Sequence, residues 1–319
     1  MFRRVFLTSA LVLTLLASGV TAASAVTAPA RGGSNYAFYG LDGCTRDQFG
    51  VINRFAQGRE TIVAQLAAMR QAGQQRLRIP IFHYRHADNG TVMDSTGGDL
   101  SPQNRQNLTD LLAAVKAAGF AEIEVGFFPI AMNAAYNWTA FDENMYQENW
   151  NLIYHLRPII AGAGIPYKID LMNEGLPTPA QTALRDYDKR LWIDYNHVFG
   201  KADTVGFSII GDPLRIGQLD AVYGGNQPYL FDLHFYDNEY NAFVAAHTKM
   251  ASMGYTQGWI LGEGYYNDTA AASDFRRASA DTGRQVYYLT QWPLSRARTC
   301  ADVDVAPPTA FSAYTAQGF

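Results

Sequence analysis

The chain lacks three features that would point to particular classes of protein. After residue 25 no stretch reaches the ~18 to 20 apolar residues that a membrane span needs, so we expect a soluble mature chain with no membrane partner. Excess positive charge is also missing: without Arg3 and Arg4, 23 basic residues face 29 acidic ones, a formal charge of −6. That balance argues against nucleic acid as a partner. The Gly-x-Gly-x-x-Gly turn of dinucleotide-binding sheets is absent too, because "GLDGCTRD" follows the first strand-like run.

Cysteine and charged residues are scarce. The sequence has two cysteines, Cys44 and Cys300, near the two ends of the mature chain. An even number in an oxidising compartment favours a disulfide, and two separate thiols are the alternative. Charged residues make up 17% of the chain and aromatic residues 13%, a composition found in exported proteins that bind neutral sugars.

The N-terminus has the pattern of an export signal. Residues 1–25 combine two arginines, an apolar run and the small-residue site Ala23-Ser24-Ala25. "RRVFL" resembles the twin-arginine signal, although the apolar run also suits the general export route. We therefore expect a secreted or periplasmic protein, with residues 26–34 as a short lead-in and 35–319 as one domain.

Apolar runs of strand length alternate with helical patterns from end to end, which is typical of repeated βα units around a parallel sheet. Eight runs are predicted as strands: residues 35–41, 75–82, 121–128, 167–173, 203–210, 229–236, 258–263 and 285–292.

The segments between these runs carry helix start and stop signals. Ser101 can cap a helix, Pro102 suits its first position and Gly119 ends it. Residues 178–200 repeat the design with a Thr-Pro start and a terminal glycine. Eight βα units in this length predict a single-domain (β/α)8 TIM barrel, whose usual size is ~250 residues. An open doubly wound sheet is the alternative.

Polar and aromatic side chains stand at the ends of five predicted strands. In a barrel the βα loops at the C-terminal ends of the strands build the active face, so these side chains are expected to converge. The residues concerned are Arg78, Asn173, Glu174, His234, Tyr236, Glu263 and Trp292.

Two carboxylates from different strand ends suit glycoside hydrolysis. One can protonate the leaving oxygen while the other attacks the anomeric carbon. Their pKa values must differ for the two roles, so their surroundings must differ. A structural alternative is that Glu174 caps a turn and that Glu263, between Gly262 and Gly264, is a turn residue.

These motifs resemble those of clan A glycoside hydrolases, the retaining (β/α)8 superfamily that includes the family five cellulases and mannanases. "DLMNEG" resembles the fourth-strand Asn-Glu and "ILGEGYY" the seventh-strand Glu, with the two glutamates 89 positions apart. "RLRIPI", "LHFY" and "LTQWPL" are similar to the second-strand Arg, sixth-strand His-x-Tyr and eighth-strand Trp motifs. Family five usually has a histidine pair after its third strand, whereas this chain reads "VGFFPIAMN", which leaves other clan A families and their cell-wall substrates open.

The resemblance implies a role for each of these residues. Glu174 would be the general acid/base, Glu263 the nucleophile, and Asn173 a donor to the sugar 2-hydroxyl. The supporting roles are assigned as follows: Arg78 and Tyr236 would keep Glu263 ionised, His234 would tune the acid, and Trp292 would form a platform under the sugar. Clan A enzymes often have a cis peptide after this Trp, and Pro293 follows it here, so we predict a cis bond.

Further aromatic and histidine residues are candidate sugar subsites. His83 and His86 form an H-x-x-H, but no third ligand has suitable spacing, so loop histidines near a sugar are favoured over zinc. Trp138, Tyr265 and Tyr266 lie in predicted βα loops and could stack on sugars or pack within the loops.

Together these observations predict an exported retaining β-glycoside hydrolase that is endo-acting on a polysaccharide, monomeric, and independent of metal or cofactor. A transglycosylase with the same two glutamates is an alternative. A catalytically inactive carbohydrate-binding barrel is another, which the presence of both glutamates disfavours. The sugar and the linkage stay open.

Overall fold

The computed structural model describes residues 32–39, 49–86, 88–297 and 308–319. The predicted export signal at residues 1–25 lies outside the described residues, as do Cys44 and Cys300. The signal and the disulfide therefore stay predictions.

Ten strands form one parallel sheet in the described residues. They are β1 (Gly33–Asn35), β2 (Arg76–Tyr84), β3 (Met93–Asp94), β4 (Glu122–Pro129), β5 (Tyr167–Asp170), β6 (Thr204–Gly206), β7 (Ile209–Ile210), β8 (Phe231–His234), β9 (Trp259–Glu263) and β10 (Val286–Gln291).

The sheet closes into a barrel, because its two end strands, β6 and β7, are consecutive in the chain. Its order is β6-β5-β4-β2-β1-β10-β9-β8-β7, with β3 paired to β2. Because β6 and β7 are two halves of the predicted strand 203–210, this segment pairs with β5 through β6 and with β8 through β7. The predicted (β/α)8 barrel is thereby confirmed.

Helices lie between the strands. They are α1 (Phe55–Gln71), α2 (Pro102–Ala118), α3 (Glu143–Gly162), α4 (Thr182–Phe199), α5 (Pro213–Ile216), α6 (Leu219–Tyr223), α7 (Glu239–Ser252), α8 (Thr269–Thr282) and α9 (Ser312–Thr315). None of these described helices combines the length and the apolar character that crossing a membrane would demand.

The helix termini follow the sequence signals closely at α2 and less closely at α4. Ser101 accepts a hydrogen bond from the Asn104 amide, and Gly119 ends α2 in the left-handed conformation at φ 85°. The predicted Thr-Pro start of α4 is wrong by a few residues, because Gln181 is its N-cap. Each long helix turns one apolar face inward. On α2 the buried apolar residues are Leu108, Leu111, Leu112 and Val115.

Two strands differ from their predicted bounds in a way that concerns the barrel mouth. β1 begins at Gly33, before the predicted start at residue 35. The prediction missed this start because Gly33 and Ser34 lack the apolar side chains by which strands are recognised. β5 ends at Asp170, before the predicted end at Asn173. The following turn remains tied to the sheet, since the Asn173 amide donates to the Phe127 carbonyl at 2.8 Å.

Candidate active site

Arg78, on β2, lies fully buried at the centre of a ring of polar side chains inside the barrel mouth. Its Nη1 donates to Oε1 of Glu263 at 2.8 Å and its Nη2 to Oδ1 of Asn173 at 2.8 Å. Deeper in the barrel, Nε contacts Glu124 at 2.9 Å and Nη2 contacts Asp170 at 2.8 Å. One guanidinium therefore connects β2 to β4, β5 and β9.

Space for this guanidinium comes from a glycine. A Cβ added at Gly126, on β4, would lie 3.3 Å from Nη2 of Arg78 and 2.9 Å from the ring of Phe128. The same ring lies 5.0 Å from the guanidinium carbon, within the range of a cation–π contact.

Glu263 ends β9 with its carboxylate bound on both oxygens. Oε1 accepts from Arg78, and Oε2 accepts from the hydroxyl of Tyr236 at 2.8 Å. Its side chain is 8% exposed, so the carboxylate faces the mouth through a narrow opening. This arrangement fixes the carboxylate plane and leaves little freedom for rotation.

Glu174 projects from the turn after β5 and is more open, with 34% of its side chain exposed. Its φ is 50°, a left-handed conformation that costs a non-glycine residue about 1 to 3 kcal/mol. The conformation is held by its amide, which donates to Oγ of Ser208 at 2.7 Å. The turn after β5 thereby directs the side chains of Asn173 and Glu174 into the mouth.

His234 lies between the two glutamates at the end of β8. Its Nδ1 lies 3.1 Å from Oε1 of Glu174 and 3.6 Å from Oε1 of Glu263, and its Nε2 lies 3.4 Å from Oδ2 of Asp232. Burial alone would lower the pKa of His234, but the carboxylates of Glu263 and Asp232 raise it well above its usual range. The imidazolium therefore donates on both ring nitrogens.

One ligand atom from each of Glu174, His234 and Glu263 lies within 4.8 Å of the others. The two carboxylates thus meet at about the 5 to 5.5 Å separation of retaining glycosidases, well short of the ~6.5 to 9.5 Å of inverting ones. Of the predicted residues, the structure brings Arg78 and Asn173 into the same site with this pair.

The protonation preferences of the two glutamates are the reverse of the simplest expectation. Burial raises the pKa of Glu263, although His234 and Arg78 act in the opposite direction. For Glu174 burial also acts upward, but the hydrogen bond and charge of His234, with Arg78 and Arg215, bring its pKa below the ordinary value. The sequence predicts that Arg78 and Tyr236 keep Glu263 ionised; both contacts are present, yet burial outweighs them.

A second group of acids, Glu124, Asp170 and Asp232, lies beneath the mouth and is fully buried. Either this group or the trio above has the spacing to hold a metal ion. In both, however, the guanidinium of Arg78 supplies a positive charge within 3.6 Å of a carboxylate oxygen. Burial and the neighbouring Asp232 raise the pKa of Glu124 well above its usual range, and the two carboxyl groups are hydrogen-bonded.

Trp292 follows β10 at the barrel mouth and is partly exposed. Its indole stacks on Phe128, with ring centroids 6.1 Å apart and planes at 22°. Phe128 also contacts Phe82, at 4.8 Å between centroids. An aromatic wall therefore borders the two glutamates on the side where the "FFP" of β4 ends.

Four predicted subsite residues are used for packing. His83 belongs to β2 and not to a loop, is 1% exposed, and has its pKa lowered to about 3 by burial. Trp138 donates its indole N–H to the Met132 carbonyl and packs against the core. Tyr265 is buried with its hydroxyl on Asp237, and Tyr266 accepts from the Ala310 amide.

Residues that the sequence did not single out line a pocket of about 280 Å3 beside Glu174. Its walls are formed by Tyr136, Asn173, Glu174, Gln181, Ile210 and Arg215. Tyr136 is 46% exposed and stands two residues before Trp138, in the aromatic "AAYNW" loop. For Arg215, on the short helix α5, the sequence offers no signal.

Comparisons with known proteins show similarity of structure alone. No family model matches the sequence, and no curated protein matches it. A GH5_18 structure from Bifidobacterium longum subsp. infantis has a TM-score of 0.55 at 10% identity, covering 83% of this chain and 69% of that one. The exo-β-1,4-mannosidase Op5Man5 from Opitutaceae bacterium strain TAV5 has a TM-score of 0.55 at 15% identity, covering 91% and 60%.

A GH5-4 broad specificity endoglucanase from Clostridium longisporum is similar as well. Its TM-score is 0.52 at 9% identity, covering 80% of this chain and 84% of that one. At such identities the likeness concerns the fold. The chain therefore has a (β/α)8 barrel of the kind seen in solved GH5 glycoside hydrolases.

Proposed function

We propose that the protein is a retaining β-glycoside hydrolase in which Glu263 is the nucleophile and Glu174 the general acid/base. The observation that carries the proposal is the meeting of these two carboxylates within 4.8 Å at the barrel mouth, with His234 between them. Supporting it, Glu263 is fixed on both oxygens while Glu174 is the more exposed. A nucleophile must be held in place, whereas an acid must reach an oxygen of the substrate.

In the first step the carboxyl group of Glu174 gives its proton to the glycosidic oxygen. An oxygen of Glu263 attacks the anomeric carbon, the bond to the leaving oxygen breaks, and a glycosyl ester forms on Glu263. The amide of Asn173, whose Oδ1 is held by Arg78 at 2.8 Å, keeps its N–H groups for the 2-hydroxyl of the sugar.

In the second step Glu174, now a carboxylate, removes a proton from a water molecule. That water attacks the anomeric carbon, the ester bond breaks, and Glu263 is released as a carboxylate. The two inversions restore the original configuration. Esterification removes the charge of Glu263, and a neutral neighbour favours ionised Glu174 in its role as base.

The substrate class is proposed from the neighbours in fold, which include an exo-mannosidase and a broad specificity endoglucanase by name. A β-linked hexose polysaccharide of the glucan or mannan type is therefore the first class to test. Export to the periplasm or medium, and endo action along such a polymer, complete the proposal.

The test combines two substitutions with a trapping experiment. Glu263→Gln and Glu174→Gln should each lower kcat by about 1,000-fold or more, whereas Glu143→Gln, at an exposed side chain on α3, should leave it unchanged. With an activated aryl glycoside, Glu174→Gln should accumulate a glycosyl ester because its second step lacks the base. Mass spectrometry must locate the added sugar on the peptide that contains Glu263.

A sugar on another residue would overturn the assignment, and so would full activity in either glutamine variant. Product analysis with and without an added sugar acceptor separates hydrolysis from transglycosylation.

A further inference from the structure

The pocket beside Glu174 receives the part of the substrate that leaves. Glu174 forms part of its wall and Glu263 does not, so the pocket lies on the side of the acid/base. Its volume of about 280 Å3 lies just under the ~300 Å3 at which small-molecule sites begin. It therefore suits a single sugar unit next to the bond that is cut.

A half-buried cation, Arg215, forms part of this pocket. Its Nη1 donates to the carbonyl of Leu176 at 2.6 Å, and no ion pair among the described residues includes it. Two acids interact with it electrostatically: Glu174, which is used in catalysis, and Asp188, whose pKa is raised well above its usual range by burial although Arg215 acts in the opposite direction. The remaining N–H groups of Arg215 are donors without a carboxylate partner in the described part of the chain.

We propose that Arg215 makes this pocket a subsite for a sugar that carries a carboxylate, so that the polysaccharide cut by this protein contains uronic acid on the leaving side of the cleaved bond. The inference rests on the proposed function and names the substrate class of the same site. A guanidinium binds a carboxylate through two parallel hydrogen bonds, which a hydroxyl group cannot match.

The other walls of the pocket fit a sugar ring. Tyr136 offers an exposed aromatic surface, on which the apolar face of a pyranose can rest. Oε1 of Gln181 accepts from the Thr178 amide at 2.9 Å, so its amide nitrogen is left to donate to hydroxyl groups. A carboxylate on Arg215 and a hydroxyl on Gln181 would satisfy these two donors together.

Binding of a carboxylate also helps the chemistry. Arg215 is one of the cations that lower the pKa of Glu174, and neutralising it would raise that pKa, so Glu174 would hold its proton to higher pH. The titratable and charged groups that face Glu174 are His234 on β8, Glu263 on β9, Arg78 on β2, Arg215 on α5, and the hydroxyls of Tyr136 and Tyr236. Of these, Arg215 borders the pocket as a cation.

A binding experiment tests the subsite without requiring cleavage. Methyl β-D-glucuronoside and methyl β-D-glucoside are titrated into the full protein by NMR or calorimetry. The glucuronoside should bind at least about tenfold more tightly, the size of one charge-assisted contact. Arg215→Gln should abolish this preference and Arg215→Lys should keep part of it. Arg277→Gln, which removes a charge at a 58% exposed side chain on α8, should keep all of it. Equal affinity for the two glycosides, no binding of either, or an unchanged preference in a folded Arg215→Gln variant overturns the inference.

A cleavage experiment separates this inference from the proposed function. Uronate-containing β-linked polysaccharides are compared with their carboxyl-reduced forms, which have the same linkages without the charge. We expect a higher kcat/KM on the acidic form, a pH profile of kcat displaced to higher pH because kcat reports the enzyme–substrate complex, and no difference between the forms in Arg215→Gln. Equal cleavage of both forms, dependent on both glutamates, would overturn the uronate subsite and leave the glycosidase intact. Arg215-dependent glucuronoside binding without cleavage of any polysaccharide would uphold the subsite and overturn the glycosidase.

Discussion

Tyr236 donates a 2.8 Å hydrogen bond to Oε2 of Glu263. Donation to a carboxylate favours its ionised form, and this hydroxyl opposes the upward effect of burial on the pKa of Glu263. Tyr236→Phe removes the donor and leaves the ring in place. We expect kcat/KM to fall about 10- to 100-fold, as for the loss of one hydrogen bond to a charged group. The high-pH limb of the profile, which is set by the raised pKa of Glu263, should move to higher pH.

The matched control is Tyr240→Phe on α7, where the hydroxyl donates to Asp281 at 2.9 Å far from the mouth. It should leave both kcat/KM and the high-pH limb unchanged. A high-pH limb that does not move in Tyr236→Phe would contradict the role of this hydroxyl.

The reversed pKa directions of the two glutamates predict an acidic pH optimum on neutral substrates. The pKa of Glu174 is lowered, so the protonated acid is lost as pH rises through that lowered value. The pKa of Glu263 is raised, so the ionised nucleophile is lost as pH falls through that raised value. The productive form, with Glu174 protonated and Glu263 ionised, is therefore a minor form at every pH, and kcat/KM should be highest between the two pKa values. A profile that is maximal above pH ~7 would contradict these directions.

Replacing His234 should move the whole bell. His234 lowers the pKa of both Glu174 and Glu263 through its charge, so His234→Asn should shift both limbs to higher pH as well as reduce kcat. Tyr236→Phe, by comparison, should shift the high-pH limb alone. His197→Asn, at an exposed position on α4, is the control, and a shift of one limb only in His234→Asn would show that the imidazolium does not reach both carboxylates.

Much of the barrel mouth could be predicted because parallel strands end at the same edge of a sheet. Strand ends such as those of β5 and β9 bring Glu174 and Glu263 together whatever the loops do. The alternating βα pattern was sufficient for the fold, since apolar strand runs and capped helices are local signals. What the sequence predicted least well were strand limits, because β2 extends through His83 to Tyr84 and buries a histidine that reads as part of a loop.

The partners of Arg78 could not be predicted from local patterns. Glu124, Asp170 and Asp232 lie on three different strands, and nothing local indicates that they face the same guanidinium. Their burial depends on the closure of the barrel, which is a property of the whole sheet. The charge balance that sets the pKa values of the two glutamates is likewise a sum over several strands.

Arg78 should be essential for stability as well as for the site. It is the buried counter-ion of Glu124 and Asp170, at 2.9 and 2.8 Å, and removing one partner of a buried pair costs about 3 to 5 kcal/mol. Arg78→Met should lower the free energy of unfolding by that amount, measured by urea denaturation. Arg76→Met is the control on the same strand: Arg76 lies 3.3 Å from a partly exposed Glu122, and the loss should be clearly smaller. Equal losses would show that the buried cluster is not what Arg78 stabilises.

Gly262 is required by Asp232 and not by a substrate. A Cβ at this position would lie 2.2 Å from Oδ2 of Asp232, the oxygen that faces Nε2 of His234 at 3.4 Å. Gly262→Ala should therefore displace Asp232, destabilise the protein by about 1 to 3 kcal/mol through overpacking, and lower kcat through the disturbed imidazolium. Gly162→Ala, at the end of α3 with open space around the added methyl, should be neutral or more stable by up to about 1 kcal/mol. If Gly262→Ala has the melting temperature and kcat of the wild type, the structure beneath the site admits the added methyl group without displacing Asp232 in a way that matters. The position of His234 must then depend on its contact with Glu174.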